Sequence, residues 1–166
     1  MPVKMENPGF QKSLAYIATL GPVGYLYPAP GTIGSLLAVL VGYVIASFGT
    51  SILITATIIV SVIGTAAADA HRQINDKSDA PEVIIDEVAG QWIALIILPL
   101  DPWWFAVSFF LFRFFDITKF GPIGMAERIS GGIGVVADDI IAGLLTSLCL
   151  FGVAVLMGKT ALLNFV

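Results

Sequence analysis

The stretch IGSLLAVLVGYVIASFGTSILITATIIVSVIGTAAA, residues 33–68, carries no charged side chain, and only the pair Gly49-Thr50 punctuates it. Its two halves, 33–48 and 51–68, each approach the roughly 20 residues a helix needs to cross a bilayer, and the Gly-Thr pair reads as a turn. The segment therefore predicts a helical hairpin in a membrane. The fold class that follows is all-α, a polytopic membrane bundle built from helical hairpins. Composition agrees. The chain is 57% hydrophobic and 12% charged, with a mean hydropathy of +0.93, where soluble domains carry roughly 25% charged residues.

Toward the N-terminus, residues 1–13 are polar, and Gly21, Pro22, Gly24, Pro28, Pro30 and Gly31 break up 14–31. A short helix followed by a loop is expected there. Toward the C-terminus, residues 69–87 are charged, and two shorter apolar runs, 88–100 and 102–112, flank the turn signal Asp101-Pro102. Each run reaches spanning length only if its helix takes in the neighbouring charged turn, which puts Glu87 and Arg113 at a membrane boundary. A last span, 140–158, follows Asp138-Asp139 directly, with Asp138 available as its cap. Trp92, Trp103, Trp104 and Tyr43 are available as interfacial anchors. Neither repeat nor linker divides the chain, so a single domain over 1–166 is expected. No compact basic, apolar and cleavage-site pattern opens it, so a removable signal peptide is not. The lone Cys149 excludes an intrachain disulfide and has a packing role in its apolar run. A net charge of -4 without a basic run argues against nucleic acid. Membrane lipids are the expected surroundings, and nothing indicates an oligomer.

This hairpin layout puts the N-terminus, 69–87 and 113–139 on one side. Seven of the eight basic residues fall there, all but Lys159, and the positive-inside rule assigns that side to the cytoplasm. Eleven of the twelve acidic residues share it, all but Asp101, although the rule does not require this. Short outer loops alone would leave charges inside. The helical faces argue for more. Glu87 shares a face with Gly90, Gln91 and Ala94, and Asp139 with Ala142, Gly143 and Thr146, so small residues turn both carboxylates toward neighbouring helices. Asp69 lies beyond Thr65 and Ser61 on another helix. Arg113, Asp116 and Lys119 recur every three residues.

Carboxylates gathered near hydrocarbon repel one another, and a divalent cation is the usual remedy. Oxygen ligands, a single His71 and one apolar-run cysteine favour Mg2+ over zinc. Arg113, as a planar fork, and Lys119, as a point charge, suit a phosphate. An intrahelical salt bridge is the plainer account of Arg113 and Asp116, but their place at a membrane edge favours the phosphate. In PAPGTIGSLLAVL, Thr32 reads as a helix N-cap, with Ser35 one turn in, and the N–H groups after it form an anion-binding candidate. Cys149 lies within a span, with Val155 six residues on where a cysteine phosphatase needs an Arg, and a lone His71 excludes two-histidine phosphatase chemistry. Metal-assisted attack by water remains, with Glu87 or Asp139 as the base.

Four motifs together resemble the phosphatidylglycerophosphatase A family: PGTIGS at 30–35, IIDEVAG at 84–90, RFFDITKFGPI at 113–123 and GGIGVVADDIIAG at 131–143. Any one is weak, whereas four in order are specific. The resemblance implies a small all-helical, Mg2+-dependent, multi-pass enzyme of the bacterial inner membrane with its site facing the cytoplasm. It implies hydrolysis of phosphatidylglycerophosphate to phosphatidylglycerol and phosphate. Carried across, it points to Asp86, Glu87, Asp116 and Asp139 for catalysis and to Arg113, Lys119, Thr32 and Ser35 for the substrate phosphate. For the metal it points to Glu87, Asp138 and Asp139, and Asp79 matches a further acidic position. Asp69 joins the candidate ligands from its place on a neighbouring helix. The chain departs from the family pattern at Phe120, where a proline is common. A small Mg2+ carrier and a non-catalytic membrane subunit are the competing readings. The spans carry no charge through their centres, which leaves a carrier without a polar path.

Overall fold

The computed structural model describes residues 7–76 and 80–157, and among these the chain is all-helical with no strand. Its α-helices are α1 (Pro8–Ala18), α2 (Pro30–Ser47), α3 (Thr50–Asn75), α4 (Ile85–Leu95), α5 (Pro102–Thr118), α6 (Pro122–Ala126) and α7 (Gly132–Leu156), with one turn of 3-10 helix at Val23–Tyr25. Three of them, α2, α3 and α7, are long and apolar enough to cross a membrane.

The hairpin at 33–68 forms as expected, with Gly49 at φ 130° making the turn, but both helices overrun their apolar segments. Proline at the first position lets α2 begin at Pro30 with Ala29 as its N-cap, so Thr32 lies inside the first turn and caps nothing. α3 continues to Asn75 and carries Asp69, His71 and Arg72 along its last turns. α1 starts before the expected 14, at Pro8, where the Asn7 side chain accepts from the N–H of Gly9 at 3.0 Å.

α4 differs most from the sequence expectation of a span. Its 11 residues rise about 16 Å, half of the roughly 30 Å hydrocarbon core. Nine of the 11 are buried, so protein rather than lipid encloses it. α2, α3 and α7 surround it, with α5 alongside. Trp92 and Trp104 are accordingly core residues rather than interfacial anchors, and Trp92 Nε1 donates to the Ala38 carbonyl at 2.8 Å. Tyr43 packs edge-on against Phe105, which leaves Trp103 as the exposed tryptophan. Cys149 faces outward instead of packing inside.

Helix association without a hydrophobic drive depends on close backbone approach. α4 and α7 achieve it at Gly90 and Gly143: a Cβ on Gly90 would lie 2.4 Å from the Asp139 carbonyl, and one on Gly143 would lie 2.2 Å from the Gly90 carbonyl. This crossing holds Asp139 at the contact and Glu87 one turn from it, on facing helices.

Candidate active site

The site is a polar cavity of about 630 Å³ at one end of the bundle. Segments distant in sequence converge on it: Ala29 to Thr32 at the start of α2, Ala68, His71 and Arg72 from α3, Asp86-Glu87 from α4, Arg113, Asp116 and Ile117 from α5 with Lys119 at its end, and Asp138-Asp139 from α7. Ten of the 18 charges counted onto one side by sequence line this chamber.

At its floor, buried Glu87, Asp116 and Asp139 each present a carboxylate oxygen, and these oxygens lie within 4.8 Å of one another. Arg113 bridges two of them. It donates a short hydrogen bond to Glu87 and approaches Asp116 at 2.8 Å. Ser35, fully buried, donates to Glu87 at 2.7 Å. Gly31 leaves the room this needs, since a Cβ there would meet Glu87 Oε1 at 2.3 Å. Burial, and then the nearby Asp116 charge, raise Glu87 to about 7, while Arg113 and Ser35 pull against them.

Lys119 closes the other side. It ends α5 in a left-handed conformation, φ 48°, and Gly121 follows at φ 58°. That turn swings the ammonium back to pair closely with Asp138 and to lie 3.4 Å from Asp116. Burial opposes its charge, but the hydrogen bond and attraction from Asp138, then Asp116, hold Lys119 above its usual value. The atypical Phe120 sits exposed on this turn and does not displace Lys119 from the cavity.

The remaining residues divide plainly. Asp86 lines the cavity and accepts from the Glu87 N–H at 2.9 Å. Thr32 lines the mouth. Asp138 lies in the second turn of α7, which begins at Gly132 rather than near 140, so Asp138 is not a cap. One of its oxygens takes Lys119, and the other, buried, has no protein partner. Asp69 does not line the cavity: its Oδ1 accepts from the Gly132 N–H at 2.9 Å and pairs with Arg72 at 3.5 Å, tying the start of α7 to α3. Asp79 lies outside the described residues. Arg72, Glu127 and Arg128 also line the cavity and were not singled out by motif, although the one-sided charge count had already gathered them.

Six carboxylates, those of Asp86, Glu87, Asp116, Glu127, Asp138 and Asp139, line the cavity with four cations, Arg72, Arg113, Lys119 and Arg128. An excess of this kind, held in a buried all-oxygen pocket, is the donor chemistry of a metal ion. The acidic group at its floor could bind one.

The sequence model of Phosphatidylglycerophosphatase A matches residues 16–154. The chain belongs to that family. Phosphatidylglycerophosphatase A of Escherichia coli is 31% identical over 149 residues, covering 87% of this chain and 83% of that protein. The Haemophilus influenzae protein of the same name is 32% identical over 78% of this chain and 82% of its own length. A Bacteroides thetaiotaomicron protein provisionally named phosphatidylinositol-3-phosphatase is 36% identical over 84% of this chain and 91% of its own. No solved structure matches. The chain is an enzyme, a phosphatase of the Phosphatidylglycerophosphatase A family.

Proposed function

We propose that the chain, as a single membrane-embedded domain over 1–166, is a Mg2+-dependent lipid phosphatase. It hydrolyses phosphatidylglycerophosphate to phosphatidylglycerol and phosphate at the cytoplasmic face of the bacterial inner membrane. The observation that carries this is the convergence of Glu87, Asp116 and Asp139 beside Arg113 and Lys119 in a chain of this family.

Glu87, Asp116 and Asp139 would hold the cation, with the free oxygen of Asp138 within the same chamber. When bound, Mg2+ neutralises charge on the phosphoryl oxygens and makes water more acidic. Arg113 and Lys119 orient the terminal phosphate, and the N-terminal turn of α2, with Thr32 and Ser35, borders the same chamber. Ser35 and Arg113 also fix Glu87. Water attacks phosphorus as the bond to the glycerol oxygen breaks. A carboxylate, Glu87, Asp139 or Asp86, accepts the water proton, and the departing oxygen takes up a proton to become the alcohol. The leaflet holds the substrate's tails while its anionic head enters the chamber, which agrees with seven of eight basic residues lying on the assigned inner side.

The Bacteroides relative favours a second reading, in which another phosphorylated phospholipid is the substrate. Phosphate release in detergent from a panel of phosphorylated lipids, with and without chelator, decides between them. Chelator-sensitive release greatest from phosphatidylglycerophosphate is the expected result. Preference for a phosphoinositide would replace the substrate, and chelator-insensitive release would remove the metal.

A further inference from the structure

Trp103, Val107, Phe110, Phe114 and Ile117 follow one another along α5 at spacings of four, three, four and three, so they form a stripe on one face. That face is turned outward: Phe110 is 71% exposed, Phe114 58% and Ile117 67%. Ile117 lines the polar cavity. Phe114, one turn earlier, lines a separate groove of about 490 Å³ between α5 and α7, whose walls, including Leu111, Leu150 and Val153, carry no charged residue. Chamber and groove are therefore lined by successive turns of α5, at residues 117 and 114.

The geometry points to this groove as the seat of one acyl chain of the substrate lipid, an inference that rests on the lipid phosphatase reading. The 11 steps along α5 from Phe114 back to Trp103 rise about 16 Å, which matches the roughly 15 Å depth of one leaflet. Its volume falls in the range of small-molecule sites, about 300–1,000 Å³. A lipid whose phosphate sits between Arg113 and Lys119 must lead its tails out past an apolar wall, and Ile117 and Phe114 supply one. The lipid-facing side of α3, around Ile59, is equally apolar but does not line the chamber.

Val153, on the exposed α7 wall, tests the assignment as Val153→Trp, which fills the groove, beside Ile59→Trp as a control. Phosphate release by the full chain is measured with dioleoyl and dihexanoyl phosphatidylglycerophosphate in detergent with Mg2+. The ratio of kcat/KM for the long-chain over the short-chain lipid falls on the order of tenfold in Val153→Trp, as expected when about two methylenes lose their seat, and stays unchanged in Ile59→Trp. An unchanged ratio in Val153→Trp overturns the groove. No release from either lipid by the native chain overturns the phosphatase reading and the substrate seat with it. A dioleoyl phosphonate analogue with a diazirine at the tail end gives a second readout that needs no turnover. Labelling of α5 and α7, competed by phosphatidylglycerophosphate but not phosphatidylcholine, supports the seat. Equal competition by phosphatidylcholine marks ordinary boundary lipid and overturns it.

Discussion

The α2–α3 hairpin and the α4–α7 pair solve the same problem in opposite ways. α2 and α3 adjoin in sequence and turn most of their surface outward, with residues such as Leu40, Val44, Ile58 and Val62 exposed. α4 and α7 lie 36 residues apart between Leu95 and Gly132, yet they meet backbone to backbone at Gly90 and Gly143. The hairpin is held by the solvent it sits in, whereas the inner pair is held by steric fit. Among the described residues the buried carboxylates, Glu87, Asp116, Asp138 and Asp139, gather at this inner packing, where they can be fixed against one another at a few ångströms.

The largest effects therefore belong to the inner pair. Glu87→Gln and Asp139→Asn keep shape and hydrogen-bonding capacity but remove charge, and phosphate release falls about 10²–10⁴-fold. Thermal unfolding in detergent stays near that of the native chain, since mutual repulsion is relieved. Activity within a few-fold of native in both variants would break the assignment of the cluster.

Gly143→Val comes next. Its Cβ would fall 2.2 Å from the Gly90 carbonyl, a backbone atom that cannot step aside, whereas nothing lies within 4 Å of a Cβ on Gly152 along the same helix. Overpacking of this kind costs about 1–3 kcal/mol. Gly143→Val lowers both the midpoint of thermal unfolding and phosphate release, and Gly152→Val changes neither. Equal tolerance at the two positions would show that the crossing is not what positions the site.

Helix periodicity made the inward faces of Glu87 and Asp139 legible, because Gly90, Gln91 and Ala94, and Ala142, Gly143 and Thr146, are small or uncharged at the right spacing and all prove buried. The same rule could not show that α4 is enclosed. Val88 to Leu100 reads as apolar whether lipid or protein surrounds it, and Trp92 looks like an anchor until Ala38 offers it a carbonyl. Helix starts were hidden for a related reason. α7 begins at Gly132 because Asp69, 63 residues earlier, accepts its first N–H, and a contact so remote leaves no local signal. The family resemblance marks Asp116 as catalytic, while its approach to Glu87 and Asp139 requires the packing of α5 on α4 and α7.

A cation competes with protons for the cluster. With Glu87 raised from the ordinary 4.5 to about 7 by burial and then by Asp116, the empty site holds a proton below that pH which metal must displace. Folding disfavours the charged carboxylate, so the sign is fixed: apparent Mg2+ affinity drops up to about tenfold for each unit below pH 7 for one proton, and levels off above it. Titration of activity against Mg2+ at several pH values checks this. A requirement independent of pH from 5.5 to 8 would place the cation elsewhere.

Asp69 provides the smallest and sharpest contrast, because it is an acidic residue near the inner pair that the fold employs differently. Its Oδ1 receives the Gly132 N–H and Arg72, so Asp69→Ala leaves a helix-end donor without its partner and costs about 1 kcal/mol. The start of α7 loosens and phosphate release declines only a few-fold. Asp69→Asn retains an acceptor and restores most of the loss, which a metal ligand stripped of its charge would not do. The Mg2+ concentration for half-maximal activity should be the same in the native chain and in both variants. A shift of tenfold or more in Asp69→Asn would move Asp69 from the scaffold of α7 to the ion, and would mean that charge at a distance from the inner crossing still governs the site.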